Sequence, residues 1–181
     1  MRFRVEAEDG SNVPIRPKIE INTRETQALD GPASLPLKIE NPWFSGEVAT
    51  STFSREEMLV TKLRALLQRD KGRDLYDLAH ALRVYEDLDA ERIVDLFGHY
   101  LDLSGHAISR ARAQERMFAK LANPRHLLDM RPLLPVEQAE ALTDGSTAAS
   151  FRRVFTTLVD RLPGEPWGRT PAMKERFGIS W

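Results

Sequence analysis

The sequence predicts an α+β chain in which a small antiparallel or mixed sheet at the N-terminus is followed by an α-helical bundle. Three observations carry this. Apolar and polar side chains alternate in stretches of residues 1–53, apolar residues recur at three- and four-residue spacing from Ser54 onward, and Gly or Pro breaks separate the helical runs. At 181 residues, 41% of them hydrophobic and 29% charged, the chain has the length for one domain, or a domain plus a small extension, and can bury a core.

The first alternating stretch sets Phe3, Val5 and Ala7 against Arg2, Arg4, Glu6 and Glu8, and Asp9-Gly10-Ser11-Asn12 turns it. A second sets Ile15, Ile19 and Ile21 against Arg16, Lys18, Glu20 and Asn22, so the pair reads as a hairpin. Leu35 to Glu40 and Gly46 to Thr52 are further strand candidates, joined through a loop whose Trp43 and Phe44 are expected to anchor it by packing. Ser54 followed by Glu57 forms a capping-box pattern before the helical run Met58 to Gln68. Asp70-Lys71-Gly72-Arg73 is a tight connection to a helix over Asp74 to Val84, and Asp89 caps the next, which carries Ile93, Phe97, Tyr100 and Leu101. Helices are expected from Ala107 to Ala122, near Val136 to Leu142, and from Ala148 to Leu162, with a short element at Arg125 to Met130. The expected division is a sheet over 1–53, a helical bundle over 54–162 and a Pro- and Gly-containing tail over 163–181.

Composition removes several classes of function. With no cysteine there are no disulfides, thiolate nucleophiles or cysteine-ligated zinc, which agrees with a reducing cytoplasm. No run of about 18 apolar residues is present and no charged-then-apolar signal segment opens the chain, so a cytoplasmic protein without membrane insertion is expected. The net charge of −1 leaves contact with nucleic acid to a local patch.

Two constellations carry chemistry. On the strand Lys18-Ile19-Glu20-Ile21-Asn22, alternation places an acid, a base and an amide side by side, more simply a solvent-facing row with cross-strand salt bridges to Arg2 or Arg4 than a row holding a metal-bound phosphate. The second spreads Glu57, Lys62, Arg69, Arg73, Asp74 and Asp77 over two consecutive helices. Lys62 and Arg69 border the apolar stripe, and Asp74 and Asp77 share a face three residues apart. Cations therefore face an acid pair. Either that pair serves a substrate, or Asp74 caps its helix and Asp77 pins the helical hairpin through Arg69 or Arg73.

These segments, Lys18 to Glu25, Glu56 to Leu66 and Arg69 to Leu78, resemble in order and spacing the AbiEii/AbiGii toxin family. Leu127-Leu128-Asp129-Met130-Arg131-Pro132-Leu133-Leu134 and the helix with Phe151, Phe155 and Leu158 look like that family's C-terminal portion, so nearly the whole chain is covered. The resemblance implies a polymerase-beta-like nucleotidyltransferase, its N-terminal sheet a remnant of that core, using Mg²⁺ and a nucleoside triphosphate. It implies catalytic roles for Glu20, Lys62, Asp74 and Asp77, metal binding by Glu20, and cofactor binding by Lys62, Arg69 and Arg73. A lysine at position 62 would neutralise triphosphate charge, while Asp74 and Asp77 would position that lysine or the substrate.

The family's Gly-Ser turn leading to metal-binding aspartates has no counterpart among the nineteen residues before Glu20, where Gly10-Ser11 sits in a turn with no Asp-x-Asp strand after it. The resemblance thus implies a chain incomplete for catalysis by itself: a fragment, one part of a split enzyme completed by an upstream half on another chain, or a degenerate homologue. Its implied partners are a cognate antitoxin and an RNA acceptor such as tRNA. A non-catalytic module docking an antitoxin, an RNA or a separate catalytic half is the alternative. Arg112, Arg116 and Lys120 recur every four residues, with Arg110 nearby and Arg152-Arg153 on the last helix, as a phosphate-contacting stripe or a solvated face. The four histidines are scattered, against a histidine metal site, and Trp43, Trp167 and Trp181 read as packing anchors.

Overall fold

The computed structural model describes residues 16, 18, 19, 28–123, 126 and 128–179. The first expected strand lies outside them, as does most of the second with Glu20. The described chain is α+β: a two-stranded antiparallel sheet followed by seven α-helices and two 3₁₀ turns.

Strands β1 (Ala33–Glu40) and β2 (Ser45–Thr52) pair with Leu37 opposite Val48 and Ile39 opposite Gly46. Asn41 turns the chain between them, its Oδ1 accepting from Trp43 N at 3.0 Å and Phe44 N at 2.9 Å, the side-chain mimicry of a backbone turn that favours Asn there. The Phe44 ring lies over Gly46, where a Cβ would come within 2.8 Å of it and displace the ring. Trp43 does not anchor the loop as its apolar bulk suggests. It is 87% exposed at the hairpin tip, and Leu35, Leu37, Ile39 and Val48 also leave their common face to solvent.

A two-stranded hairpin is marginal alone and needs fastening. The fastener is the segment before β1: Leu29 N donates to Glu57 Oε1 at 2.6 Å, Asp30 N to Glu57 Oε2 at 3.5 Å, and Tyr100 Oη to Glu57 Oε1 at 2.5 Å. Asp30 in turn accepts from Ser54 Oγ at 3.0 Å and Arg92 Nε at 3.1 Å. The Arg92 hydrogen bond, helped by Ser54, holds the Asp30 carboxyl below the usual carboxylate range against the opposing effect of burial.

Helix α1 (Arg55–Gln68) starts where its pattern predicts, with Ser54 Oγ accepting from Glu57 N at 3.1 Å. The other half of the box is diverted, since the buried Glu57 carboxylate serves the Leu29 segment and Tyr100. Next come α2 (Gly72–Val84), α3 (Ala90–Leu103, capped by Asp89) and α4 (Arg110–Leu121, capped by Ser109). A 3₁₀ turn (Leu128–Leu133) leads to α5 (Val136–Glu140) and α6 (Asp144–Thr157), the latter opened by a reciprocal Thr143–Ser146 capping box. A second turn (Val159–Arg161) precedes α7 (Thr170–Arg176). No helix among the described residues is long and apolar enough to cross a membrane.

Helix α1 packs on α3 and α2, α2 on α6, and α4 bridges α1, α6 and α7. Val60, Leu63 and Leu66 of α1 meet Leu78, Ile93, Leu96 and Phe97 in the core, the burial expected of residues on one helical stripe. Around Phe118 an aromatic layer forms, with ring centroids of Phe155 at 5.1 Å, Phe151 at 5.4 Å, Trp167 at 6.2 Å and Phe177 at 6.4 Å. Residues 163–179 are drawn onto this layer through Gln114, which is wholly buried. Its Oε1 accepts from Trp167 N and Thr170 Oγ1, each at 2.8 Å, and its Nε2 donates to Asp160 Oδ1 at 2.8 Å. All three amide partners come from distant sequence.

Candidate functional site

The turn between α1 and α2 collects most of the residues singled out from the sequence. Antiparallel helices joined by so short a connection bring residues near the end of one against the start of the next. Lys62 Nζ donates to Asp77 Oδ2 at 2.6 Å, and Arg69 grips Asp74 with two parallel bonds, Nε to Oδ2 and NH2 to Oδ1, both 2.7 Å. The acid pair therefore divides its partners differently from the sequence expectation: Asp74 takes Arg69, and Asp77 takes Lys62 rather than Arg69 or Arg73. Nor is Asp74 the helix cap. It sits inside the first turn of α2, and the cap position belongs to Lys71.

The two ion pairs differ in what they can reach. Asp74 is 0% exposed with both oxygens held by the guanidinium, whereas Lys62 and Asp77 are 39% and 38% exposed. A planar fork binding both carboxylate oxygens suits a buried hinge pin, and an ammonium on a long stem suits contact with something outside. The Asp74 carboxylate, with the Asp77 charge beyond it, raises the Arg69 pKa above its usual value despite desolvation. Arg73 is exposed on α2, and Glu20 lies outside the described residues.

Lys71 offers α2 no side-chain cap, and Asp129 supplies one from a distant segment: its Oδ1 and Oδ2 accept from Gly72 N at 3.2 and 3.4 Å. A carboxylate at a helix N-terminus satisfies an orphan donor and complements the helix dipole. Nothing in the sequence points to this cap, since the pattern begins the helix at Asp74, itself a common capping residue.

The basic stripe on α4 resolves into local tasks. Arg112 pairs with Glu115, Arg110 NH2 meets Asp160 at 2.8 Å, Arg116 donates to Leu67 O, and Lys120 Nζ donates to Arg69 O at 2.7 Å. Arg116 and Lys120 thus take up the last carbonyls of α1, where cations complement the negative end of a helix. They line a cleft of about 310 Å³ with Leu67, Arg69 and Asp70. Spacing alone gave no sign that two of these side chains point inward to close another helix.

Asp70 completes the turn, holding Lys120 Nζ at 3.2 Å and His126 Nδ1 at 2.8 Å. Burial would raise its carboxyl, but the Lys120 hydrogen bond and charge hold it below the usual range. Burial, followed by the Lys120 charge, pushes the His126 ring below its ordinary 6.5. The folded state therefore keeps His126 neutral where the unfolded chain would protonate it, and stability falls as pH drops through about 6.5 toward the lower folded value. Urea midpoints at about pH 7.5 and about pH 5.5 check this. The wild type is expected to lose stability over that interval, and His126→Asn to show a shallower loss. Equal slopes in the two proteins would rule out His126 as the source.

Among the described residues, no group of three or more His, Asp or Glu side chains is placed to hold a metal ion. The family model described as "Nucleotidyl transferase AbiEii toxin, Type IV TA system" matches residues 1–160. No curated protein and no solved structure matches the chain.

Proposed function

This chain belongs to the AbiEii family of nucleotidyl transferase toxins of type IV toxin–antitoxin systems, a family that implies an antitoxin partner, and on that premise we propose that it takes part in nucleotidyl transfer from a nucleoside triphosphate to an acceptor such as tRNA. The observation that supports this is the Lys62–Asp77 pair: an ammonium held at 2.6 Å yet more than a third open to solvent, on a helical hairpin pinned beneath it by Arg69–Asp74. Lys62 meets the triphosphate as a mobile point charge, and Asp77 aims it. Arg73, exposed on the same helix, adds a second cation at the rim. Asp74, buried with both oxygens taken, acts through Arg69 and does not meet substrate.

Glu20, to which the resemblance assigns the metal, lies outside the described residues, and the described acids do not make a magnesium site. A second reading, a binding module, draws support from the uncovered apolar face of the hairpin at Leu35, Leu37, Ile39 and Val48. Exposed apolar patches of this kind mark surfaces that meet another protein.

Binding of α-labelled nucleoside triphosphates, and label transfer to total RNA with Mg²⁺, decide between the two. Lys62→Ala is expected to weaken triphosphate binding roughly 10- to 100-fold, the worth of a hydrogen bond to a charged group, with a smaller loss for Asp77→Asn. Binding and transfer unaltered in Lys62→Ala would remove Lys62 from the site. A wild-type chain that binds no triphosphate but retains an antitoxin or RNA would favour the binding module.

A further inference from the structure

Helix α2 meets α6 along a groove of about 150 Å³ lined by Tyr76, Ala79, His80, Arg83, Ser150 and Arg153. Its lining contains no acidic side chain. The Tyr76 and His80 rings lie nearly parallel, 11° apart in plane with centroids separated by 6.1 Å. Arg83 NH2 lies 3.1 Å from His80 Nδ1, and Arg153 NH1 donates to Leu82 O at 3.4 Å. Arginine only donates, so His80 Nδ1 accepts and its proton sits on Nε2, a further donor. The two guanidinium contacts on show go to neutral acceptors, which leaves their positive charge available to an anion.

We propose that this groove binds one nucleotide unit of a single-stranded nucleic acid, the base against the Tyr76–His80 platform and the phosphate between Arg83 and Arg153. Stacking surface beside an electropositive track is what single-strand recognition uses, and it needs no base-specific contacts. Size favours a strand over a free cofactor: pockets that enclose a whole small molecule run to about 300–1,000 Å³, and this groove holds only part of one. The chain's net charge of −1 gives no general pull on nucleic acid, so a local acid-free groove is where such a ligand would gain most. Tyr76, His80 and Arg83 line the groove against α6 while Asp77 pairs with Lys62 of α1, so the groove and the triphosphate site occupy neighbouring faces of α2 with different residues. The inference supplies the acceptor side of the proposed transfer, but it is read by binding alone.

The test is fluorescence anisotropy of a labelled single-stranded oligoadenylate RNA titrated with the full chain. Arg83→Ala with Arg153→Ala is expected to weaken binding about tenfold or more and to flatten the slope of log K against log salt by about 0.7, one phosphate contact on a single strand. Tyr76→Leu is expected to weaken it at least about fivefold without changing that slope. Arg112→Ala on α4, exposed and paired with Glu115 of the same helix, is the control and should bind as the wild type does. With the double variant impaired, displacement of the RNA by adenosine monophosphate at comparable concentration identifies a free nucleotide as occupant, and resistance to it identifies the strand. Unchanged binding in the double variant, equal loss in Arg112→Ala, or no binding by the wild type overturns the proposal. RNA binding retained by Lys62→Ala, with triphosphate binding lost, separates this groove from the transferase reading.

Discussion

Phe118→Ala is expected to cost roughly 3–5 kcal/mol of folding stability, the range for truncating a fully buried aromatic ring. Phe118 is at the junction where α4, α6 and the chain's final segment converge, and it contacts four other aromatic rings. Deleting it removes the transfer energy of the ring and leaves a cavity that its neighbours cannot close, since Phe151 and Phe155 are themselves held on a single helix. Urea denaturation with unchanged slope and a lowered midpoint is the expected record. Phe177→Ala, at the half-buried rim of the same layer, should cost less. A loss below about 1 kcal/mol for Phe118→Ala would mean that the layer repacks and is not the keystone its geometry indicates.

Arg69→Ala is expected to be the most damaging change to the α1–α2 hairpin, at about 2–4 kcal/mol, because it strands the wholly buried Asp74 carboxylate without a partner. The figure is set below the range for fully buried pairs because the guanidinium is 46% exposed and water can partly replace it. Asp74→Asn should cost less, since the surviving arginine can turn to solvent and the amide oxygen can still accept from it. Thermal melts of the two single variants and the double check this asymmetry, with the double expected to be milder than the sum. If Asp74→Asn were instead the worse of the two, the buried carboxylate would have a partner other than Arg69. The same comparison bears on function, because Lys62 and Asp77 stand on the hairpin that this pair holds.

Much of the helical part was legible because its signals are local. Ser54, Asp89 and the apolar spacing of Ile93, Phe97, Tyr100 and Leu101 announce their helices within a few residues, and strands β1 and β2 begin within two residues of the alternation that predicts them. Pairing between elements was not legible. That Asp77 would meet Lys62 and Asp74 would meet Arg69 depends on how α1 and α2 are rotated about their axes, which spacing along either helix does not report. Glu57 looked like half of a capping box and proved to be a buried acceptor for Tyr100 and the Leu29 segment. Asp129, Arg116 and Lys120 close the ends of helices far away in sequence, and a charge doing so looks like any surface charge when read alone. Helix α7 was missed since its seven residues are too few for a periodic pattern and its start at Arg169-Thr170-Pro171 follows a Gly- and Pro-containing stretch.

Gln114 sets an order of events during synthesis. Its side chain is in the middle of α4, yet the groups that satisfy its amide are Asp160, Trp167 and Thr170, so a nascent chain that has just emerged through α4 presents to solvent a face that nothing upstream can cover. The hairpin, α1, α2 and α3 can assemble as they leave the ribosome. The aromatic layer waits for residues 151–179, and until they arrive Phe118 is an exposed ring on an unfinished bundle. The α4 face is therefore covered by long-range contacts, and the interval between release of α4 and release of α7 is when nascent molecules are most apt to stick to one another.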